Sequence, residues 1–237
     1  MNDLEIENLS IKYVKEHKKE IIDKFANLKD FPSEEFPFTF MMAGSPGAGK
    51  TEYSLKLIEE FYQKDPKSKI VRIDADEIKK EIPLYNGKNS YAIQRAAIKG
   101  MEKVIDHIYE HNQNVLIDGT FAHYDPSLKN IQRSLNHRRP VKIWYLYLDP
   151  KIAWDFTRKR EKLEGRPIKK EDFINAFFWA KENVNKVKKE LGKAVELNLV
   201  IKEIANPSKI KLELNIDNVD SYLTIGYNRG QLIEILI

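Results

Sequence analysis

Ala43-Gly44-Ser45-Pro46-Gly47-Ala48-Gly49-Lys50-Thr51 decides the fold. From Gly44 to Thr51 it fits G-x-x-x-x-G-K-[ST], the phosphate-cradling P-loop. Glycines let the backbone wrap closely around a triphosphate, with several N–H groups turned inward. Lys50 is then expected to reach the β- and γ-phosphates, and Thr51 to offer its hydroxyl to Mg²⁺. A helix starting there aims its positive end at the anion. The expected ATP-binding set is therefore Gly44, Ser45, Pro46, Gly47, Ala48, Gly49, Lys50 and Thr51.

The flanks supply the context the motif needs. Phe36-Pro37-Phe38-Thr39-Phe40-Met41-Met42 is aromatic and apolar, which suits a buried strand. Beyond the loop, Leu55, Ile58 and Phe61 recur at helical spacing. A Gly/Pro surface turn would not need a strand before it and a helix after it.

At 237 residues the chain can bury one substantial core. Its 42% hydrophobic and 32% charged content is ordinary for a soluble globular protein. There is no cysteine, so disulfides and thiolate metal sites are excluded. No apolar run is long enough to span a bilayer, and Met1-Asn2-Asp3-Leu4-Glu5 lacks a basic-then-apolar leader. These features lead to an expectation of a cytoplasmic protein. The net charge of +4 is too small to be a nucleic-acid footprint by itself.

Residues 1–35 read as a helical arm, with Ile6, Ile11 and Val14, then Ile21, Ile22, Phe25 and Leu28 between charges. Its position just before the first strand raises the idea of a built-in cover over the nucleotide site. Residues 36–205 read as the core. Strands are expected around 69–74, 114–118, 141–148 and 197–204, separated by helical stripes. Strands alternating with helices imply right-handed crossovers and a parallel sheet covered on both faces. The fold class is thus α/β: a P-loop NTPase three-layer sandwich with a mostly parallel five-stranded sheet. Residues 206–237 alternate at Lys209–Leu214 and are β-prone at Tyr222–Ile225, so a small β appendage is expected.

Ligands of open α/β sheets bind outside the carboxyl ends of the strands. The second strand ends in Asp74-Ala75-Asp76, the third in Asp118-Gly119-Thr120. A P-loop kinase needs a carboxylate to orient the acceptor hydroxyl. One of Asp74 and Asp76 can do this while the other caps the following helix. Asp118 follows an apolar run, as a carboxylate holding Mg²⁺ through water would. Downstream, a helix opened by Asp149-Pro150 carries Arg158 and Arg160, and a polar stretch with Arg166 follows. Helix, basic loop, helix over 156–170 reads as a lid whose arginines stabilise the transferring phosphoryl. His107-Ile108-Tyr109-Glu110-His111 matches H-x-x-E-H, but its helix face flanks a core stripe and implies no pocket.

Gly44–Thr51, Ile73-Asp74-Ala75-Asp76, Asp118-Gly119-Thr120 and the basic lid after Pro150 resemble, in that order, the zeta toxin family of P-loop kinases. The resemblance covers roughly residues 36–205. It implies an adenylate-kinase-like core, ATP and Mg²⁺. It implies transfer to the 3'-hydroxyl of the amino sugar in UDP-N-acetylglucosamine, and a small antitoxin as partner. By matching position, Asp76 would be the base and Lys50 the phosphate lysine. Thr51 would be the Mg²⁺ ligand, with Asp118 beside the metal. Glu102 and Thr120 would contact the nucleotide sugar, and Arg158 or Arg160, with Arg166, would serve the lid. The chain departs from the family pattern at Asp118, where glutamate is usual, and at Ala122, where the toxins carry arginine. Both departures lie on the acceptor side.

Two other readings use the same residues. A polynucleotide 5'-hydroxyl kinase would use Tyr85, Tyr91, Tyr124 and the Arg133–Arg139 cluster to stack on and neutralise a strand. A nucleotide-binding interaction module would use the P-loop without transfer, an alternative that the joint presence of Lys50, Thr51 and Asp76 opposes.

Overall fold

The computed structural model describes residues 1–165, 167–203 and 209–236. Two helices come first, α1 (Asp3–Glu16) and α2 (Lys18–Ala26). Asn2 caps α1 in a capping box with Glu5. The core then runs β1 (Thr39–Ala43), α3 (Lys50–Lys64), β2 (Ile70–Asp74), α4 (Ala75–Lys80), α5 (Ser90–Glu110) and β3 (Asn114–Asp118). It continues through α6 (Tyr124–Asn136), β4 (Val141–Tyr147), α7 (Pro150–Glu164), α8 (Lys170–Leu191) and β5 (Val195–Lys202). β6 (Ile210–Glu213) and α9 (Arg229–Ile235) close the chain.

The strands form one sheet in the order β2-β3-β1-β4-β5-β6. The first five are parallel, as the alternation of elements requires. The expected five-stranded sheet gains a sixth member: β6 pairs antiparallel with β5, Lys202 opposite Ile210. The alternation at 209–214 therefore feeds the main sheet's edge, whereas 222–225 form no strand. Edge strands hydrogen-bond on one side only, which a short alternating segment can do.

Alternate strand residues serve two cores. Phe40 and Met42 of β1, with Leu116, Trp144 and Val200, pack under α3, α7 and the first half of α8. Met41 and Ala43, with Val71, Ile117 and Tyr145, pack under α5 and the arm. Val14, Ile21, Ile22 and Ala26 of the arm are buried in that second core. Each of the larger side chains contributes roughly 1.5–3 kcal/mol on burial. Gly100 of α5 lets α4 approach, since a Cβ there would sit 2.8 Å from Ile78 Cγ2, and Val14 of α1 packs over the same spot at 3.5 Å. The arm is thus a layer of the sandwich. No residue of 1–35 lines the large cavity described below, so the idea of a cover over the nucleotide site is not supported.

β1 lies between β3 and β4, so the chain leaves it at the point where strand order reverses. That is where an open parallel sheet presents its crevice. Among the described residues, no helix is long and apolar enough to cross a membrane.

Candidate active site

Residues 44–49 turn between β1 and α3 with φ of 138° at Gly44 and 78° at Gly49, the helix N-cap. At Gly44 a Cβ would meet the Leu146 carbonyl oxygen at 2.5 Å, so both conformation and space demand glycine. The Gly44 N–H donates to the Thr120 carbonyl at 3.0 Å, which ties the loop to the segment after β3. Lys50 Nζ donates to the carbonyls of Ser45 (2.8 Å) and Gly44 (3.1 Å). Burial lowers its pKa, opposed by the carboxylates of Asp118, Asp74 and Asp76. Lys202, at the end of β5, reaches Gly49 O at 3.4 Å and adds a cation that the sequence reading had not picked out.

The acidic strand ends sit side by side, Asp74 in register with Asp118. Asp74 Oδ1 accepts from the Asp76 N–H at 2.8 Å and caps α4. Burial, then the charges of Asp76 and Asp118, raise the Asp74 pKa to about 6. The cap is therefore Asp74, and the Asp76 carboxylate accepts from Lys79 Nζ at 3.1 Å. Lys79, only 4% exposed, also donates to Ser90 Oγ at 2.8 Å.

A charged residue inside β2 binds this cluster together. Arg72 shares a strand face with Asp74, two residues on. Its Nε donates to Ser54 Oγ of α3 at 3.0 Å. Its NH1 donates to Glu77 at 2.5 Å, and its NH2 to Asp118 at 2.6 Å and Asp74 at 3.4 Å. Burial disfavours the guanidinium charge, but Asp118, then Glu77 and Asp74, outweigh it and raise its pKa. The sequence signal was available: an arginine at the centre of an otherwise apolar strand.

One cavity of about 940 Å³ joins these parts. Pro46, Gly47, Gly49, Lys50 and Thr51 line it on the loop side. Asp74, Asp76, Asp118, Gly119 and Thr120 line it at the strand ends. Ser90, Tyr91 and Gln94 of α5 close one wall. From the lid region come Lys159, Arg160, Leu163, Pro167 and Ile168. Arg160 faces this cavity, whereas Arg158 pairs with Glu161 and lies over the Trp154 ring. Arg166 lies outside the described residues. Glu102 is not among the lining residues; it stands about two turns beyond Gln94 on α5.

Ala122 lines a separate, shallower hollow with Trp179 and Asn183. Between it and Thr120, Phe121 takes a φ of 63°, held by Asn183, which donates to the Phe121 and Ala122 carbonyls at 3.0 Å. The Arg133–Arg139 cluster does not reach the cavity. Arg133 pairs with Asp106, and Arg139 is 1% exposed, donating to Thr39, Phe38 and Gln113. The His107 and His111 rings lie 4.0 Å apart, tilted by 34°, at the C-terminal end of α5 and outside the cavity lining.

Mg²⁺ needs oxygen ligands and, with nucleotides, takes much of its shell from phosphate and water. The Thr51 hydroxyl and the carboxylates of Asp118 and Asp74 are oxygen donors on one cavity wall. Among the described residues no group of three His, Cys, Asp or Glu side chains could hold a metal alone. This donor set fits an ion that arrives with a nucleotide.

No curated protein matches the sequence. A solved chain of the PezAT chromosomal toxin–antitoxin system of Streptococcus pneumoniae superposes with a TM-score of 0.63 at 21% identity, covering 98% of this chain and 90% of that one. A chain of the AvrRxo1-ORF1:AvrRxo1-ORF2 complex solved with ATP gives 0.63 at 11% identity, over 93% and 74%. At such identities these likenesses speak for the fold. The family profile of the zeta toxins matches residues 22–214, from the second arm helix through the edge strand, and on that match the chain belongs to the zeta toxin family.

Proposed function

We propose that this protein transfers the γ-phosphoryl group of ATP to a hydroxyl of a small molecule, a nucleotide sugar such as UDP-N-acetylglucosamine being the favoured acceptor. The observation that carries this reading is the shared cavity, which Lys50, Arg160, Asp76, Gln94 and Thr120 line together. A hydrolase needs only a positioned water; a carboxylate across from a phosphate lysine serves an acceptor hydroxyl.

In this mechanism the loop N–H groups and Lys50 hold the β- and γ-phosphates. Thr51, and Asp118 through water, would hold Mg²⁺, which would supply positive charge against the phosphate oxygens. Asp76 orients the acceptor hydroxyl and takes its proton as the oxygen attacks the γ-phosphorus. The bond from that phosphorus to the bridging oxygen breaks, and ADP leaves. Lys50 and Arg160, with Arg158 or Arg166 as further lid candidates, offset the charge that develops. Thr120 binds the acceptor beside Asp76. Glu102 keeps a place in this scheme only if the acceptor or the lid reaches along α5.

The PezAT relative is described as a toxin–antitoxin system, and by that likeness we propose a small antitoxin as partner. The cytoplasm is the proposed compartment. The test is incubation with Mg-ATP and panels of nucleotide sugars, plain hydroxyl compounds and 5'-hydroxyl oligonucleotides. The expected result is labelled phosphate on a nucleotide sugar, lowered about 10²–10⁴-fold by Asp76→Asn. Transfer only to oligonucleotides would replace this reading with the polynucleotide kinase. No Asp76-dependent transfer or ATP turnover would leave the interaction module.

A further inference from the structure

We infer that Arg72 is a positioning residue, the joint that aligns the phosphate side of the site with its acidic side. The inference rests on the kinase reading above. The four groups that Arg72 touches lie on four different elements. Ser54 is on α3, one turn after Lys50 and Thr51; Asp118 ends β3; Asp74 ends β2; Glu77 is on α4, next to Asp76. A single planar guanidinium presents donors in a fixed fork, so these contacts fix angles as well as distances.

The joint matters because it ties α3 and α4, by side chains, to strand ends that the backbone ladder already pairs through Asp74 and Asp118. α4 is a short helix of 6 residues, and its N-cap, Asp74, is itself a partner of Arg72. Asp118 and Ser54 also touch, Oγ to Oδ2 at 3.4 Å, so the guanidinium closes a ring with α3 and β3. The Arg72 side chain is 10% exposed and that of Asp118 is 3% exposed. Water therefore competes weakly for these bonds, and partners of this kind orient the groups they hold. Through Asp118 and Ser54, Arg72 sets where the metal-facing carboxylate stands relative to the Thr51 hydroxyl. It does this without lining the cavity.

The test uses Arg72→Lys, which keeps the buried charge but cannot fork, and Ser54→Ala, which removes the α3 branch together with the Ser54–Asp118 contact and leaves the Arg72–Asp118 pair in place. Binding of ATP is measured with and without Mg²⁺, beside cooperative thermal melts and, where an acceptor is known, kcat and KM. For Arg72→Lys the Mg²⁺ concentration giving half-maximal ATP binding should rise about tenfold or more, while metal-free ATP binding stays within about twofold. Ser54→Ala should move the same midpoint in the same direction by less. Folded Arg72→Lys with a wild-type Mg²⁺ midpoint overturns the inference, even if its melting temperature falls, since that outcome marks a merely structural role. Wild-type protein that transfers to no acceptor would sink the kinase reading yet leave the Mg²⁺ midpoint to decide on Arg72. Wild-type ATP binding that ignores Mg²⁺ would overturn the inference itself.

Discussion

On the loop side of the cavity, residues 44–51 form one unbroken run whose work falls largely to the backbone. Elsewhere on the lining, Asp76, Tyr91, Gln94 and Thr120 arrive from α4, α5 and the turn after β3, and what they can do falls to side chains. The two halves differ in what a substitution can reach. A side chain added at Gly44 strikes the β4 backbone at Leu146, so the loop cannot change without moving the sheet. A new side chain at Gln94 changes a wall and leaves the strands where they are. The donor half is fixed by the fold. The other half can be altered one residue at a time; of the two departures from the family pattern, Ala122 lines the separate hollow and Asp118 stands at the strand end beside Arg72.

The strongest way to break this comparison is Lys50→Ala. Removal of the phosphate lysine should cost about 10²–10³-fold or more in kcat and bring transfer towards background, read as ADP and phosphorylated product. Near-normal turnover would separate the loop from phosphate handling. A smaller effect should sharpen the lid. Arg160→Ala should lower kcat about 10–100-fold, whereas Arg158→Ala, removing a half-exposed partner of Glu161, should stay within about twofold. The reverse order would mean that the lid turns about its helix axis when it closes.

The smallest effect concerns the seam between the halves. Asp74 has a folded pKa raised from 3.8 to about 6. A raised carboxyl pKa favours folding while the group is protonated. That contribution is complete below pH 3.8 and is lost as pH rises through about 6. Asp74→Asn, which can still accept from the Asp76 N–H, should therefore gain on wild type above pH 6, by on the order of 1–2 kcal/mol. In metal-free urea denaturation at pH 4 and pH 7.5, the gap between variant and wild type should widen at the higher pH. An unchanged gap would show that folding leaves the Asp74 pKa where it is in the unfolded chain.

What could be read from the sequence follows the same division. Gly44–Thr51 is local in the chain, and a motif with a strand before it and a helix after it needs no three-dimensional knowledge. Asp76, Asp118 and Thr120 were found because the ends of parallel strands share one edge, a rule of topology that a sequence pattern can invoke. Arg72, Lys79 and Lys202 were missed because their meaning lies in what they face. Arg72 stood in plain view as a charge amid Ile70, Val71 and Ile73, but only the register of Asp74 with Asp118 shows what it holds. Glu102 shows the converse case: a helix position carried over by matching, while the residues of α5 that line the cavity stand about two turns or more nearer the helix start. The sixth strand was misread as an appendage because alternation over 209–214 does not name its partner.

That strand has a consequence for the nucleotide side. Sheet edges fray first, since their hydrogen bonds are open to water on one flank. Here the edge pair is Ile210 with Lys202, both at the cavity wall, and Lys202 leans on the N-cap carbonyl of the P-loop helix. Opening of this end of the sheet would loosen the Lys202 contact with the Gly49 carbonyl. A nucleotide that pins Lys202 would, in return, hold the hem of the sheet shut.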